Sequence, residues 1–241
     1  MGNEHTVAQG SNNQNISADF PSFSQGENNK EVREKTHTGK KARPHNTLKR
    51  ICVFCGSSLG ARSVYTNAAQ QLGRTIVSHG MGLVYGGGSI GLMGVIADTA
   101  LKEKGEVIGV IPRVLSSKEF AHPGLTALHV VSSMHERKAM MAELSDAFIA
   151  MPGGFGTFDE FFEVLTWAQL GLHSKPIGLL NVDGYFDLML KFINQVLHEG
   201  FIQVKHHQLF VTSHNPGELI SALLHYKPSP RISKVITWKE S

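Results

Sequence analysis

Short runs of aliphatic and β-branched residues alternate along this chain with longer stretches in which apolar residues recur every three or four positions. After Arg50, the apolar runs predict seven β-strands and the amphipathic stretches predict the helices between them. The predicted strands are RICVFC, GLVY, EVIGVIP, ALHVV, AFIAM, KPIGLLNV and QLFVTS, and the predicted helices are VYTNAAQQLGRTIVSHG, GLMGVIADTALKEKG, MHERKAMMAELS, EFFEVLTWAQLG, YFDLMLKFINQVLHEG and PGELISALLHY. Strands that alternate with helices imply right-handed crossovers. We therefore expect an α/β fold, a doubly wound parallel sheet with helices on both faces.

The start of the chain differs in composition from the rest. Residues 1–47 are rich in Asn, Gln, Ser, Gly and Lys, and their only aromatic residues are Phe20 and Phe23. Such a segment buries too little apolar surface to offset the loss of chain entropy. We therefore expect residues 1–47 to form a disordered leader and residues 48–241 to form a single domain.

The net charge of +3 lies entirely in the leading segment. Residues 1–50 carry eight Lys or Arg and five Asp or Glu, whereas residues 51–241 carry fifteen of each. A neutral folded part lacks the basic surface of a nucleic-acid-binding protein. No apolar run approaches the ~18 residues of a membrane span, and the N-terminus has no apolar signal core. Two cysteines cannot build a disulfide framework, which favours a reducing cytoplasm. From the charge and the apolar pattern we expect neither a membrane nor a nucleic-acid partner.

Glycine and serine follow three of the predicted strands at the point where each strand ends. CGSS follows the first strand, GGGSIGLMG follows the second, and PGGFGT follows AFIAM. In an open parallel sheet, ligands bind outside the carboxyl ends of the strands. Glycine lets the backbone approach a ligand closely, and a helix N-terminus presents N–H groups that suit a phosphate. We expect phosphate binding at these turns, with Ser57, Ser58, Gly87 and Gly88 as candidates.

Three glycines in the second turn, Gly86, Gly88 and Gly91, match the pattern GxGxxG. A dinucleotide site with this pattern also has an acid at the end of the following strand, and that strand here ends in VIPR. Arg113 there could serve a 2′-phosphate, so a phosphorylated dinucleotide stays open, but the turn favours a mononucleotide phosphate. The alternative is a tight strand-to-helix turn that needs small residues, above all at Gly94.

The cysteines and histidines do not form a metal or redox motif. Cys52 and Cys55 form CxxC, but residues three apart in a strand point to opposite faces of the sheet. The thirteen histidines show no HExxH or comparable ligand spacing. We expect two separate buried thiols and no metal.

The stretch PGGFGTFDE leaves two interpretations open. Thr157 and Glu160 form T-x-x-E, the spacing of a capping box, which needs no further function. A cap does not explain the glycines placed immediately before it. In a nucleotide site, Thr157 and nearby N–H groups would lie on a phosphate and Glu160 would reach the sugar, while Asp159 complements the helix dipole.

Arg137 and Lys138 open a predicted helix, in SSMHERKAMM, just after a strand ends. The helix dipole disfavours cations at that end. One interpretation is a surface pair of cations offset by acids such as Glu136. The other is that Arg137 and Lys138 face an anion or a catalytic carboxylate, because locally unfavourable placements concentrate at functional sites.

Together, SMHERKAMM and PGGFGTFDEFFEVLTWAQLG resemble the LONELY GUY family of cytokinin-activating phosphoribohydrolases, a group with an older label as lysine decarboxylases. The resemblance runs from about Ile51 to Ile202 and includes FCGSS, YGGGSIGLMG, GVIP and KPIGLLNVDGYF. It implies a Rossmann-like fold and hydrolysis of cytokinin riboside 5′-monophosphates to the free base and ribose 5-phosphate. It also implies that no metal or organic cofactor is needed, and that the chain acts as a homodimer or larger homo-oligomer.

Carried over residue by residue, the resemblance implies that Arg137 in MHxRK and Glu160 in PGGxGTxxE are the catalytic pair. It places substrate contacts at Glu119, Lys138, Gly154, Phe155, Gly156, Thr157, Phe158, Asp159 and Thr166. Two alternatives stay open. One is the same reaction on plain nucleotides such as AMP, and the other is a nucleotide or molybdenum-cofactor carrier without turnover.

Overall fold

A computed structural model describes residues 48–116 and 121–227 of this chain. Seven strands run β1 Arg50–Phe54, β2 Gly82–Tyr85, β3 Val107–Pro112, β4 Ala127–Val131, β5 Ala147–Ala150, β6 Ile177–Leu180 and β7 Phe210–Ser213. The helices are α1 Ser63–Ser78, α2 Gly91–Lys102, α3 Arg113–Leu115, α4 Met134–Glu143, α5 Phe155–Gln169, α6 Asp187–His198, α7 Val204–His207 and α8 Pro216–Leu224, with a 3₁₀ turn at Val182–Gly184. The predicted leader, residues 1–47, lies outside the described residues, and so does Glu119.

The strands form one parallel sheet in the order β4-β3-β2-β1-β5-β6-β7. The chain builds outward from β1 to β4 and then crosses back to place β5 on the other side of β1. The strand order therefore reverses between β1 and β5, and a crevice opens there at the carboxyl ends of the strands. The expected doubly wound sheet is confirmed, and its reversal point is where the glycine-rich turns after β1 and β5 meet.

Both faces of the sheet are covered, which explains why the strands read as continuous apolar runs. One buried cluster joins β1 to α1, α2 and α8, with Leu72, Ile96 and Leu219 at 2% exposure or less. The other joins the opposite face to α4, α5 and α6, with Met141 and Phe161 at its centre. The expected helices on both faces are confirmed.

Cys52 and Cys55 are both free and buried. Cys52 belongs to the cluster beneath α4 and α5, whereas Cys55 belongs to the cluster beneath α1 and α2. The prediction that the two thiols point to opposite faces is confirmed.

The first two strand-to-helix turns touch at Gly91. This residue begins α2 with a φ of +61°, and a Cβ placed on it would collide with the backbone of Ser57 and Ser58. The amide of Met93 also donates to the carbonyl of Gly56. Gly94, one turn into α2, has no room for a Cβ beside the carbonyl of Ser89. The tight-turn explanation thus holds for Gly94, while Gly91 fixes the β1 turn against α2.

We predict that Gly91→Ala destabilises the protein by roughly 1–3 kcal/mol more than Gly80→Ala does. Gly80 is the matched control, because its φ is also positive, at +72°, yet no described heavy atom lies within 4 Å of a Cβ there. Both variants share the strain of a left-handed alanine, so the difference between them reports the contact with Ser57. Urea unfolding midpoints measure it, and equal losses of stability in the two variants would contradict the contact.

Candidate active site

A cavity of about 390 Å³ opens at the carboxyl end of the sheet, next to the reversal between β1 and β5. Its volume lies within the range that small-molecule sites occupy, about 300–1,000 Å³. The turns after β1, β2 and β5 supply the polar wall together with α4 and α5, and α2, β3 and α3 supply the apolar wall. The lining residues are Cys55, Gly56, Ser57, Gly86, Gly88, Ile90, Met93, Ile111, Leu115, Arg137, Gly154, Phe155, Gly156, Thr157 and Glu160.

The N-terminus of α5 forms one side of this cavity. The helix begins at Phe155 with Gly154 as its N-cap, and no side chain caps it there. Thr157 is therefore the third helical residue rather than the cap, and the capping-box interpretation of Thr157 and Glu160 is wrong. The first N–H groups of a helix have no acceptor within the helix. They carry a partial positive charge at the edge of the cavity.

Gly154 and Gly156 leave open space at this helix end. No heavy atom of the described residues lies within 4 Å of a Cβ built on either one, whereas a Cβ on Gly153 would collide with the Thr157 side chain. Packing against Thr157 thus requires glycine at position 153. No packing contact with a described residue requires glycine at 154 or 156. Phe155 between them is 93% exposed. The start of α5 is therefore open to solvent at all three of these positions.

Arg137 reaches the cavity from the first turn of α4, which Ser133 caps by accepting from the amide of Glu136. Its Nε donates to the carbonyl of Val110 at 3.1 Å and its Nη2 to the carbonyl of Gly86 at 3.3 Å. A Cβ on Gly86 would collide with Nη2. The ends of β2 and β3 therefore hold the guanidinium in one orientation, and glycine at the end of β2 makes room for it.

Glu160 faces Arg137 across the cavity, with 4.0 Å between its Oε1 and Nη1 of Arg137. Only 9% of Glu160 is exposed. Burial raises the pKa of its carboxyl to about 7, although the positive charge of Arg137 acts in the opposite direction. A carboxyl with this pKa is present in both protonation states near neutral pH, which suits acid–base chemistry.

The predicted phosphate residues divide between two neighbouring hollows. Ser57 and Gly88 line the main cavity. Ser58 lines an adjoining hollow of about 260 Å³ that shares Gly56, Ser57 and Gly154 with it. Gly87 lines neither; its φ is +74°, and its carbonyl accepts from the amide of His122.

Four other predicted site residues do not line the cavity. The ammonium of Lys138 pairs with Asp159 at 3.1 Å and with Glu163 at 3.0 Å. Phe158 packs edge-on against Phe186. Thr166 lies on the exposed face of α5, where its hydroxyl donates to the carbonyl of Phe162.

The apolar wall of the cavity was not predicted. Ile90, Met93, Ile111 and Leu115 line it from α2, β3 and α3. In the sequence they look like ordinary core positions, and their only signal is a place near the end of a strand. Tyr185 was also missed, although its hydroxyl donates to the carbonyl of Gly153 at 2.6 Å and so fixes the glycine turn from outside.

A larger hollow of about 750 Å³ lies at the opposite, amino end of the sheet. Two of its charged side chains, Arg50 and Glu106, pair with each other at 2.8 Å. It borders Leu48 and Leu224, near the ends of the described chain. Because ligands bind at the carboxyl ends of parallel strands, we assign the candidate site to the smaller cavity.

Within residues 48–116 and 121–227, no three His, Cys, Asp or Glu side chains are arranged to hold a metal ion. The helices in the same two ranges are too short or too polar to cross a bilayer.

Comparisons with known proteins agree on one family and one fold. A family profile described as "Possible lysine decarboxylase" matches residues 93–223. A cytokinin riboside 5′-monophosphate phosphoribohydrolase of Arabidopsis thaliana is 50% identical over 181 residues, which cover 75% of this chain and 79% of that protein. A probable enzyme of the same name from Oryza sativa subsp. japonica is 51% identical over 181 residues, covering 75% and 80%.

Solved structures show the same fold at lower identity. The molybdenum cofactor binding protein of Rippkaea orientalis superposes with a TM-score of 0.58 at 23% identity, covering 74% of this chain and 99% of that one. The Moco carrier protein of Chlamydomonas reinhardtii gives a TM-score of 0.56 at 24% identity, covering 73% and 95%. These likenesses support the Rossmann-like fold.

We predict that Glu160→Gln makes the protein more stable relative to wild type as the pH rises. Below the ordinary carboxyl pKa of 4.5, the folded and unfolded wild-type chains both hold the proton. Between that value and about 7 only the folded chain does, so wild-type stability falls through this window. The difference between the two proteins should shift by about 3 kcal/mol in favour of the glutamine variant between about pH 4.5 and about pH 8.

Urea unfolding of both proteins across this range measures the shift. Glu143→Gln is the matched control, because Glu143 is an exposed carboxylate on α4. The pH-dependent shift in stability should be larger for Glu160→Gln than for Glu143→Gln. Equal profiles for the two variants would show that burial does not raise the pKa of Glu160.

Proposed function

This chain belongs to the LONELY GUY family of cytokinin riboside 5′-monophosphate phosphoribohydrolases, and on that premise we propose the reaction that it catalyses. The proposal is hydrolysis of the N-glycosidic bond of a cytokinin riboside 5′-monophosphate to the free base and ribose 5-phosphate. One observation carries it. A buried carboxylate and a guanidinium, Glu160 and Arg137, face each other in a cavity of nucleotide size beside the open N-terminus of a helix.

We assign the 5′-phosphate to the N-terminus of α5. The N–H groups of its first turn and the helix dipole favour an anion. Gly154 and Gly156 keep the approach free of side chains, and Ser57 supplies a hydroxyl from the facing β1 turn. Binding energy gained at the phosphate then positions the distant bond that breaks.

The ribose lies between the phosphate and Glu160, which is one helical turn beyond Gly156 on α5. Breaking the bond to the base develops positive charge on the sugar. The ionised carboxylate of Glu160 stabilises this charge or activates the attacking water. One water molecule is consumed: its hydroxyl ends on C1′ of the ribose, and its proton balances the departing base. The apolar wall of Ile90, Met93 and Ile111 gives the base a surface to lie against.

Arg137 acts on Glu160 through charge and on the substrate through its fixed position. Its charge lowers the pKa of Glu160 and so increases the ionised fraction against the effect of burial. Two donors of the guanidinium are bound to the carbonyls of Val110 and Gly86. Nη1, which faces Glu160, is therefore already oriented before substrate arrives, and little reorganisation is needed during the reaction.

The function is tested by incubating the protein with isopentenyladenosine 5′-monophosphate, AMP and the corresponding nucleosides. We predict release of ribose 5-phosphate and free base from the two monophosphates only, with higher kcat/KM for the isopentenyl substrate. Nucleosides lack the phosphate that the α5 N-terminus binds. Equal efficiency on AMP would favour the broader nucleotide hydrolase, and tight nucleotide binding without products would favour the carrier.

We predict that Glu160→Gln and Arg137→Ala each lower kcat/KM by about 10²- to 10⁴-fold. Glu143→Gln and Arg74→Ala are the matched controls, since both residues are exposed and lie outside the cavity. They should retain wild-type rates. Release of ribose 5-phosphate at the wild-type rate from either catalytic variant would refute the assigned roles.

We also propose that the protein is cytoplasmic. Cys52 and Cys55 are free thiols, a state that a reducing compartment maintains. Fractionation of cells that express the full chain tests this location.

The protein is further proposed to form a homodimer or larger homo-oligomer. Two helices on the same side of the sheet expose apolar side chains. These are Phe162 on α5 and Leu170 at its C-cap, and Leu188 and Phe192 on α6. Exposed apolar surface of this kind favours association.

We predict that light scattering after size-exclusion chromatography gives at least twice the monomer mass. The double variant Leu188→Glu/Phe192→Glu should shift it toward the monomer. Lys102→Glu, at an exposed lysine on α2 across the sheet from α5 and α6, makes the same change in net charge without altering the apolar surface and should leave the assembly intact. A monomeric wild-type protein would overturn the proposal.

A further inference from the structure

Lys138 is adjacent in sequence to Arg137 but points elsewhere. Its Nζ lies 3.1 Å from Oδ2 of Asp159 and 3.0 Å from Oε1 of Glu163. The Lys138 side chain is only 11% exposed, and it does not line the cavity. Its donors are therefore directed at α5 rather than at the space where a ligand would lie.

The two helices that carry the reactive pair rest on different parts of the sheet. α4 packs on β3 and β4, whereas α5 packs on β1 and β5. Neighbouring residues on a helix are about 100° apart around its axis. On α4, Arg137 therefore faces the cavity and the adjacent Lys138 lies outside it. On α5, Glu160 faces the cavity and the adjacent Asp159 lies outside it.

The contact inside the cavity is too long to fix the distance between the helices. Nη1 of Arg137 and Oε1 of Glu160 are 4.0 Å apart, at the outer limit of an ion pair. The contacts of Lys138 outside the cavity are about one ångström shorter. They tie α4 directly to α5.

We propose that Lys138 is a positioning residue, a strut whose two contacts with Asp159 and Glu163 set the spacing of Arg137 and Glu160, and that it does not contact the substrate. The proposal rests on the function above only in taking Arg137 and Glu160 as the reactive pair. It assigns Asp159 and Glu163 the same role from the other helix.

The electrostatics agree with this geometry. Burial lowers the pKa of Lys138, but the hydrogen bonds to Glu163 and Asp159 outweigh burial and raise it, so the ammonium stays charged. Lys138 also lowers the pKa of Glu160, whereas Asp159 and Glu163 raise it. Six titratable and charged groups interact with Glu160. They are Arg137 and Lys138 from α4, Asp159 and Glu163 from α5, Cys52 from β1 and Cys55 immediately after β1.

The test compares four variants of the full chain by steady-state kinetics on isopentenyladenosine 5′-monophosphate. Lys138→Met removes the strut, and Asp159→Asn/Glu163→Gln removes both of its acceptors. Lys138→Arg keeps a cation that can bridge the two carboxylates, and Lys102→Met is the control at an exposed lysine on α2.

We expect Lys138→Met and Asp159→Asn/Glu163→Gln each to lower kcat by about 10- to 100-fold while changing KM by less than about threefold. Lys138→Arg should recover most of kcat, and Lys102→Met should match wild type. A substrate-contacting lysine gives the opposite result. In that case Lys138→Met raises KM, and freeing the lysine by Asp159→Asn/Glu163→Gln leaves kcat unchanged, which would overturn the strut.

A structural readout independent of turnover separates this proposal from the function. In crystal structures of Lys138→Met and Asp159→Asn/Glu163→Gln, the distance from Nη1 of Arg137 to Oε1 of Glu160 should depart from 4.0 Å, whereas Lys138→Arg and Lys102→Met should retain it. An inactive wild-type protein whose variants show this change would refute the function and retain the strut. An unchanged distance in the two variants that lack the strut contacts would refute the strut whatever the activity.

Discussion

The carboxylate of Glu160 lies where water solvates it poorly, and the rest of the site is built around that placement. Burial favours the neutral form, so its pKa rises to about 7 rather than staying at 4.5. The opposing charge comes from Arg137, a guanidinium that is itself fixed by strand carbonyls. A buried acid without that partner would remain protonated, and a freely moving partner would be drawn into solvent. The ionisation of Glu160 therefore depends on the backbone carbonyls of β3 and of the turn after β2, which hold the arginine.

The turns that surround the cavity are held in place by contacts within the fold itself. The β1 turn is fixed against α2 at Gly91, and the β5 turn is fixed against β1 by the amide of Gly56, which donates to the carbonyl of Pro152. Tyr185 reaches over from the far half of the sheet to the carbonyl of Gly153. Each contact uses backbone groups, which are the least free to move. The cavity thus keeps its shape as a consequence of the fold.

Much of this arrangement could be predicted from the sequence, for physical reasons. The five inner strands are buried on both faces, so they appeared as continuous apolar runs. The glycine turns marked the carboxyl ends of the strands, where ligands bind. Arg137 and Glu160 stood out because a cation opens one helix and an acid follows a row of glycines in another. Those signals depend only on local spacing.

The remaining features depend on where each helix begins and on which way each side chain points. The spacing of residues along the sequence does not determine either. T-x-x-E occurs at a cap and equally within a first turn, and an N-cap glycine such as Gly154 has no side chain to reveal the true start of α5. Arg137 and Lys138 are adjacent, and only the packing of α4 decides which of them faces the cavity. The apolar wall at Ile90 and Ile111 has the same composition as the core. Sequence therefore indicated a candidate site without giving the orientation of its parts.

Gly154 and Gly156 line the cavity at the start of α5, and the packing of the described residues does not require glycine at either position. A methyl group added at either one meets no described atom, so it would narrow the chamber while the scaffold behind it stays as it is. The volume of the cavity can thus be changed without changing the packing of the fold. Small side chains at these two positions would reduce that volume in steps, and the contacts that keep the sheet folded would stay the same.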